Sequence, residues 1–124
     1  MKRRKVLVID DEESVLLFFK RLGKHEDFEV IGIGNKLEIA KNVQEGTFDL
    51  VFLDVAMPNI SAIEVLKNIK SINPSLTVYL MTGSEIDQVE RHAVTMGAAG
   101  CLYKPFDFSG LVEIITNAKT KCSQ

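Results

Sequence analysis

Lys5-Val6-Leu7-Val8-Ile9, followed at once by Asp10-Asp11-Glu12-Glu13, sets an unbroken apolar run against four consecutive acids. The run has the length of a strand, and a strand that is apolar at nearly every position is covered on both faces. The acids cannot continue it, so charge collects at its carboxyl end. The same junction recurs: Phe48 to Leu53 runs into Asp54, Leu76 to Met81 into Thr82 and Gly83, and Gly100 to Tyr103 into Lys104, while Phe28 to Ile33 completes a set of five strands. Parallel strands would bring Asp10, Asp11, Asp54 and Lys104 to one edge. Three acids there repel one another unless a hard divalent cation lies between them, and such a cation beside a lysine makes a place for a phosphoryl group.

Between the strands the apolar spacing changes to the helical period: Val15, Phe18, Phe19, Leu22; Ala62, Val65, Leu66, Ile69; Ile86, Val89, Ala93, Met96; and Leu111, Ile114, Ile115, Ala118. These stripes are core faces. Ser61 with Glu64 reads as a capping box, Asn35, Ser84 and Asp107 as N-caps, and Gly23, Gly46 and Gly97 as helix stops. Five strands alternating with five helices predict an α/β fold, a doubly wound (βα)5 parallel sheet with right-handed crossovers. Ligands bind such sheets beyond the strands' carboxyl ends, at the switch point beside the first and third strands.

With 124 residues, 46% of them hydrophobic and 26% charged, the chain predicts one domain, 1–124, with a sizeable core. A net charge of −2 gives no global basic field for nucleic acid or an anionic membrane, and Lys2 to Lys5 is too short a basic run to imply either. The apolar run after that basic start is too short for a signal peptide or a membrane span. Cys101 and Cys122 make neither a disulfide framework nor a metal set with His25 and His92, so a reduced cytoplasmic setting is expected.

Four motifs in order, Asp10-Asp11, Asp54 followed by Met57-Pro58, Thr82-Gly83 and Lys104-Pro105-Phe106, resemble the receiver domain of two-component response regulators over essentially the whole chain. The resemblance implies a flavodoxin-like sheet of order 2-1-3-4-5 and a phosphoacceptor signalling domain, regulatory and not itself an enzyme beyond assisting its own phosphorylation and dephosphorylation. Asp54 matches the acceptor, whose carboxylate attacks the phosphorus of a phosphohistidine on a sensor histidine kinase or phosphotransfer protein. Asp11 matches a direct ligand of Mg²⁺ (or Mn²⁺), Asp10 one acting through water, and the main-chain carbonyl of Ala56 a further ligand, with Asp54 itself in the set. Helix capping by Asp10 and Asp11 is compatible with those roles. Lys104 matches the cation that pairs with Asp54 and then with a phosphate oxygen; Pro105 after it suggests a tight turn. Thr82 matches the switch hydroxyl, with Gly83 leaving the next loop free to move.

Departures from the family pattern fall near the site. Receivers usually carry Tyr or Phe where this chain has Cys101; Tyr103 lies on the same side by alternation but at another depth. The thiol reads as a small buried hydrophobe. Ala62 stands where many relatives have Gly, and Ala56 and Ser84 replace larger polar residues that tune the lifetime of the phosphoryl group. The output expected from the resemblance is a surface of the fourth helix, fifth strand and fifth helix, including Glu90, Arg91, Tyr103 and Lys119, that binds a downstream protein or fused output domain. Other classes fit less well: a dehalogenase-like phosphatase needs an acid at Ala56, and a flavodoxin's FMN phosphate would be repelled by Asp10 to Glu13. The alternative kept is a phosphorylation-independent pseudo-receiver acting as an interaction module, although such proteins usually lack one of the acids or the Lys.

Overall fold

The computed structural model describes residues 3–58, 60–83, 95–104 and 106–117. Its elements are β1 (Lys5–Ile9), α1 (Glu13–Glu26), β2 (Glu29–Ile33), α2 (Lys36–Glu45), β3 (Leu50–Asp54), α3 (Ala62–Ile72), β4 (Thr77–Thr82), β5 (Gly100–Tyr103) and α4 (Phe108–Asn117). The last is the fifth helix expected from the sequence. Ile86, Val89 and Ala93 of the expected fourth helix lie outside the described residues, as do Ser84, Glu90, Arg91, Pro105, Lys119 and Cys122.

All strand pairs are parallel, in the order β2-β1-β3-β4-β5. The near-continuous apolar runs have the cause read from the sequence: alternate side chains of one strand enter two different cores. Leu7, Ile9, Val51, Leu53, Val78 and Leu80 face the side covered by α2 and α3, where Ile39, Val65, Leu66 and Ile69 meet them. Val6, Val8, Leu50, Phe52 and Met81 face the other side, covered by Phe19 and Leu22 of α1 and Leu111 and Ile115 of α4. Phe19 packs its ring 5.1 Å from that of Phe52, and Phe106 lies 5.6 Å from Phe19.

The caps follow the sequence with one correction. Asn35 accepts from Leu37 N–H at 2.8 Å, Ser61 from Glu64 N–H at 3.3 Å, and Asp107 from Gly110 N–H at 3.1 Å. Gly97 has a φ of 105°, as a helix stop requires. Gly23, however, does not end α1, which continues to Glu26 and is closed by Asp27 at φ 63°, its N–H bonded to the Gly23 carbonyl. Glycine is needed at 23 for space, since a Cβ there would come within 2.6 Å of the Phe28 carbonyl oxygen. Gly46 does cap α2, but at φ −92°; the ring of Phe48 fills the place of a Cβ. Strand bounds move by one or two residues because ladder pairing decides them, and hydropathy does not: β3 begins at Leu50, opposite Val6, and extends to Asp54, opposite Met81.

Candidate functional site

The carboxyl ends of the strands deliver every side chain of the site. Asp10 and Asp11 leave β1, Asp54 ends β3, Thr82 ends β4 and Lys104 follows β5. The loops are fixed by backbone bonds from Asp10 N–H to the Ile33 carbonyl, Val55 N–H to that of Met81 and Lys104 N–H to that of Thr82, each 2.8–3.0 Å. Gly34 lets the loop after β2 pass Asp10, because a Cβ there would stand 3.1 Å from the Asp10 carbonyl oxygen. Asp10, Asp54 and Thr82 are buried and Asp11 is exposed.

One oxygen from each of Asp10, Asp11 and Asp54 lies within 4.8 Å of the others. The Lys104 Nζ sits among acids, 3.0 Å from Glu12 Oε1, 3.1 Å from Asp10 Oδ2 and 3.5 Å from Asp54 Oδ1. The expected pairing with Asp54 is thus the longest of three, and the hydrogen bonds of the ammonium go to Asp10 and Glu12. Glu12 is the site residue that sequence reasoning passed over. It stood in the acidic run, but spacing alone cannot show which acid folds back: Asp10 Oδ1 accepts the Glu12 N–H at 2.9 Å, and this turn brings the Glu12 side chain to Lys104.

Burial pushes the Asp10 carboxyl above its usual range, and the charge of Asp54 adds to that; the Glu12 N–H and Lys104 oppose the rise without cancelling it. Burial alone would lower the Lys104 ammonium, but hydrogen bonds to Glu12 and Asp10, with the charges of Asp10 and Asp54, leave it above its usual value. Both partners of the pair therefore hold their protons more tightly. Lys104 is cationic at neutral pH in either case, so the electrostatic strain sits on Asp10, a buried acid facing a second one. Three converging carboxylates with that strain are a donor set suited to a hard divalent cation, which takes oxygen ligands and relieves like-charge repulsion.

The other expected residues are more dispersed. Ala56 is exposed, and its N–H donates to Asp54 Oδ1 at 3.2 Å. Gly83 is exposed, and a Cβ would meet nothing within 4 Å, so no crowding requires glycine there. Cys101, opposite Leu80, is partly buried against the core on the α2 and α3 side, and Leu102 against the other, as alternation requires. Tyr103 pairs with Thr82 and is 39% exposed, a rim position unlike that of a buried ring. No helix among the described residues is long and apolar enough to cross a membrane.

The geometry has counterparts in known proteins. Residues 6–116 match the family model of the response regulator receiver domain. The chain is 34% identical over 113 residues to the transcriptional regulatory protein ZraR of Klebsiella oxytoca, a match covering 91% of this chain and 26% of that protein. It therefore spans about a quarter of the length of ZraR. Chemotaxis protein CheY of Listeria monocytogenes is 30% identical over 115 residues, 92% of this chain and 97% of that one. The structure of Vibrio cholerae chemotaxis protein CheY4 superposes with a TM-score of 0.86 at 23% identity, covering 95% of this chain and 100% of that one, which bears on the fold alone. Because the family match extends from β1 into α4 and takes in every strand end that carries an acid or the lysine, the chain belongs to the response regulator receiver domain family.

Proposed function

We propose that this receiver, taken to span 1–124, accepts a phosphoryl group on Asp54 from the phosphohistidine of a sensor histidine kinase or phosphotransfer protein and thereby switches a partner-binding surface. The observation that carries this reading is the burial of Asp54 at a strand end, with two more acids within 4.8 Å and an ammonium at 3.5 Å. A carboxylate oxygen of Asp54 attacks phosphorus; the new O–P bond forms as the P–N bond breaks, and its electron pair leaves with the imidazole. Lys104 meets charge gathering on a phosphoryl oxygen, and the N–H of Ala56 orients Asp54. Asp11 and Asp54, the Ala56 carbonyl and, through water, Asp10 would hold Mg²⁺ or Mn²⁺. When bound, the cation supplies positive charge that offsets the acids and the transferred phosphoryl.

The phosphoryl charge then draws in the Thr82 hydroxyl and the Gly83 loop and shifts the population toward a form in which β5, α4 and the fourth helix expected from the sequence bind a downstream protein or a fused output domain. No direct contact with nucleic acid or membrane is invoked, and a sensor-kinase partner places the reaction in the cytoplasm. A pseudo-receiver acting without phosphorylation is the weaker reading, because all three acids and the lysine are present and converge. Mass spectrometry after incubation with acetyl phosphate and Mg²⁺ tests the assignment. One phosphoryl mass is expected on the wild type and none on Asp54→Asn; equal labelling of the two would remove it.

A further inference from the structure

We infer that Glu12 is a positioning residue for Lys104, holding the ammonium away from the acceptor so that the phosphoryl group must displace it. The inference rests on Asp54 being the acceptor. Three carboxylates surround Nζ, but its hydrogen bonds go to Asp10 and Glu12 and its contact with Asp54 is the longest, so the ammonium must swing toward Asp54 to meet a phosphoryl oxygen there, and that movement lengthens one of the two shorter bonds. Asp10 is wholly buried and would keep only the Glu12 N–H as a partner; the side chain of Glu12 is 58% exposed and regains water at once. Glu12 is therefore the partner that leaves. Its attachment is also deliberate in the fold: the bond from its N–H to Asp10 Oδ1 fixes the turn, and Lys104 Nζ reaches Asp10 and Glu12 across 94 and 92 positions of sequence. No covalent bond changes in this exchange. One ion pair breaks and another forms, so Glu12 acts as a brake on entry into the phosphorylated state.

Beryllofluoride with Mg²⁺, a mimic of the phosphoryl group, reads the brake directly. Glu12→Gln should bind it about two- to fivefold more tightly than wild type, the range expected for losing one partly exposed ion pair. Glu13→Gln removes the same charge one residue away and should change affinity less. Glu12→Asp keeps the charge but shortens the reach, and should shift toward Glu12→Gln. In metal-free protein the ¹⁵Nζ resonance of Lys104 should move in Glu12→Gln and stay in Glu13→Gln. Equal affinities for Glu12→Gln and Glu13→Gln, or an unmoved Lys104 resonance, would overturn the inference. Asp54→Asn separates the two readings: if it binds beryllofluoride as well as wild type does, the acceptor assignment fails, and the brake with it, whatever the Glu12 comparison shows.

Discussion

At Asp10 a wholly buried carboxylate takes an N–H from Glu12 and an ammonium from Lys104 while facing Asp54, and its pKa still ends above the usual 3.8. Between the unfolded value and the higher folded one, the native chain keeps a proton that the unfolded chain has lost, so this group makes stability fall as pH rises through that window. Lys104 gives a slope of the same sign at higher pH. Its folded pKa lies above 10.5, so its contribution is complete below that value and is lost as pH rises through the folded one. Urea midpoints in metal-free buffer should show both: Asp10→Asn should remove part of the decline above pH 3.8, and Lys104→Met part of the alkaline decline. A pH profile unchanged by either substitution would contradict this account. The acids and the lysine could be placed from sequence because each ends an apolar run, and parallel strands leave no other edge for them. Glu12 could not, because its position depends on a turn geometry that the spelling Asp-Asp-Glu-Glu does not encode.

Among the elements, those with a strong local signal matched their expectation most closely. The strands declare themselves by apolar runs, and Asn35, Ser61 and Asp107 cap helices through bonds within three residues. Gly23 misled because its reason is tertiary: α1 must pass beside Phe28, and helix termination is left to Asp27 in a left-handed conformation. Two glycine substitutions should therefore differ clearly in effect. Gly23→Ala gains about 1 kcal/mol of helix propensity but forces a Cβ to 2.6 Å from a backbone oxygen and 2.9 Å from Val30, at a cost of about 1–3 kcal/mol, so net destabilisation is expected. Gly110→Ala would meet only Asp107, whose Oδ2 at 3.0 Å is the cap that accepts the residue's own N–H and must give way slightly, so a helix-propensity gain of about 1 kcal/mol is largely offset and stability should stay within about 0.5 kcal/mol of wild type. Chemical denaturation of the pair tests the contrast, and a Gly23→Ala protein as stable as wild type would refute the close approach.

Across the whole molecule, the sheet places β5 at an edge, paired among the described residues with β4 alone, and Lys104 at its end reaches over to acids leaving β1 in the interior. The expected order 2-1-3-4-5 is observed, since five parallel strands with right-handed crossovers leave few ways to cover both faces. The bridge from edge to interior also bears on local unfolding. An edge strand of four partly buried or exposed residues, shorter than the five-residue edge strand β2, has few contacts to hold it, and such segments open at lower free energy than the core. Lys104 fastens that strand to the buried Asp10 at the end of an interior strand, so the residue proposed to meet the phosphoryl group would also govern how often the edge detaches. In Lys104→Ala, amide hydrogens of Cys101 to Tyr103 should exchange several-fold faster, while those of Val6 to Ile9 and Leu50 to Leu53 change only as far as global stability does. Were all strands to lose protection equally, the fastening would be no more than a part of the common core. Were only β5 to respond, phosphorylation, by reassigning the partners of Lys104, would also reset the rate at which this edge breathes.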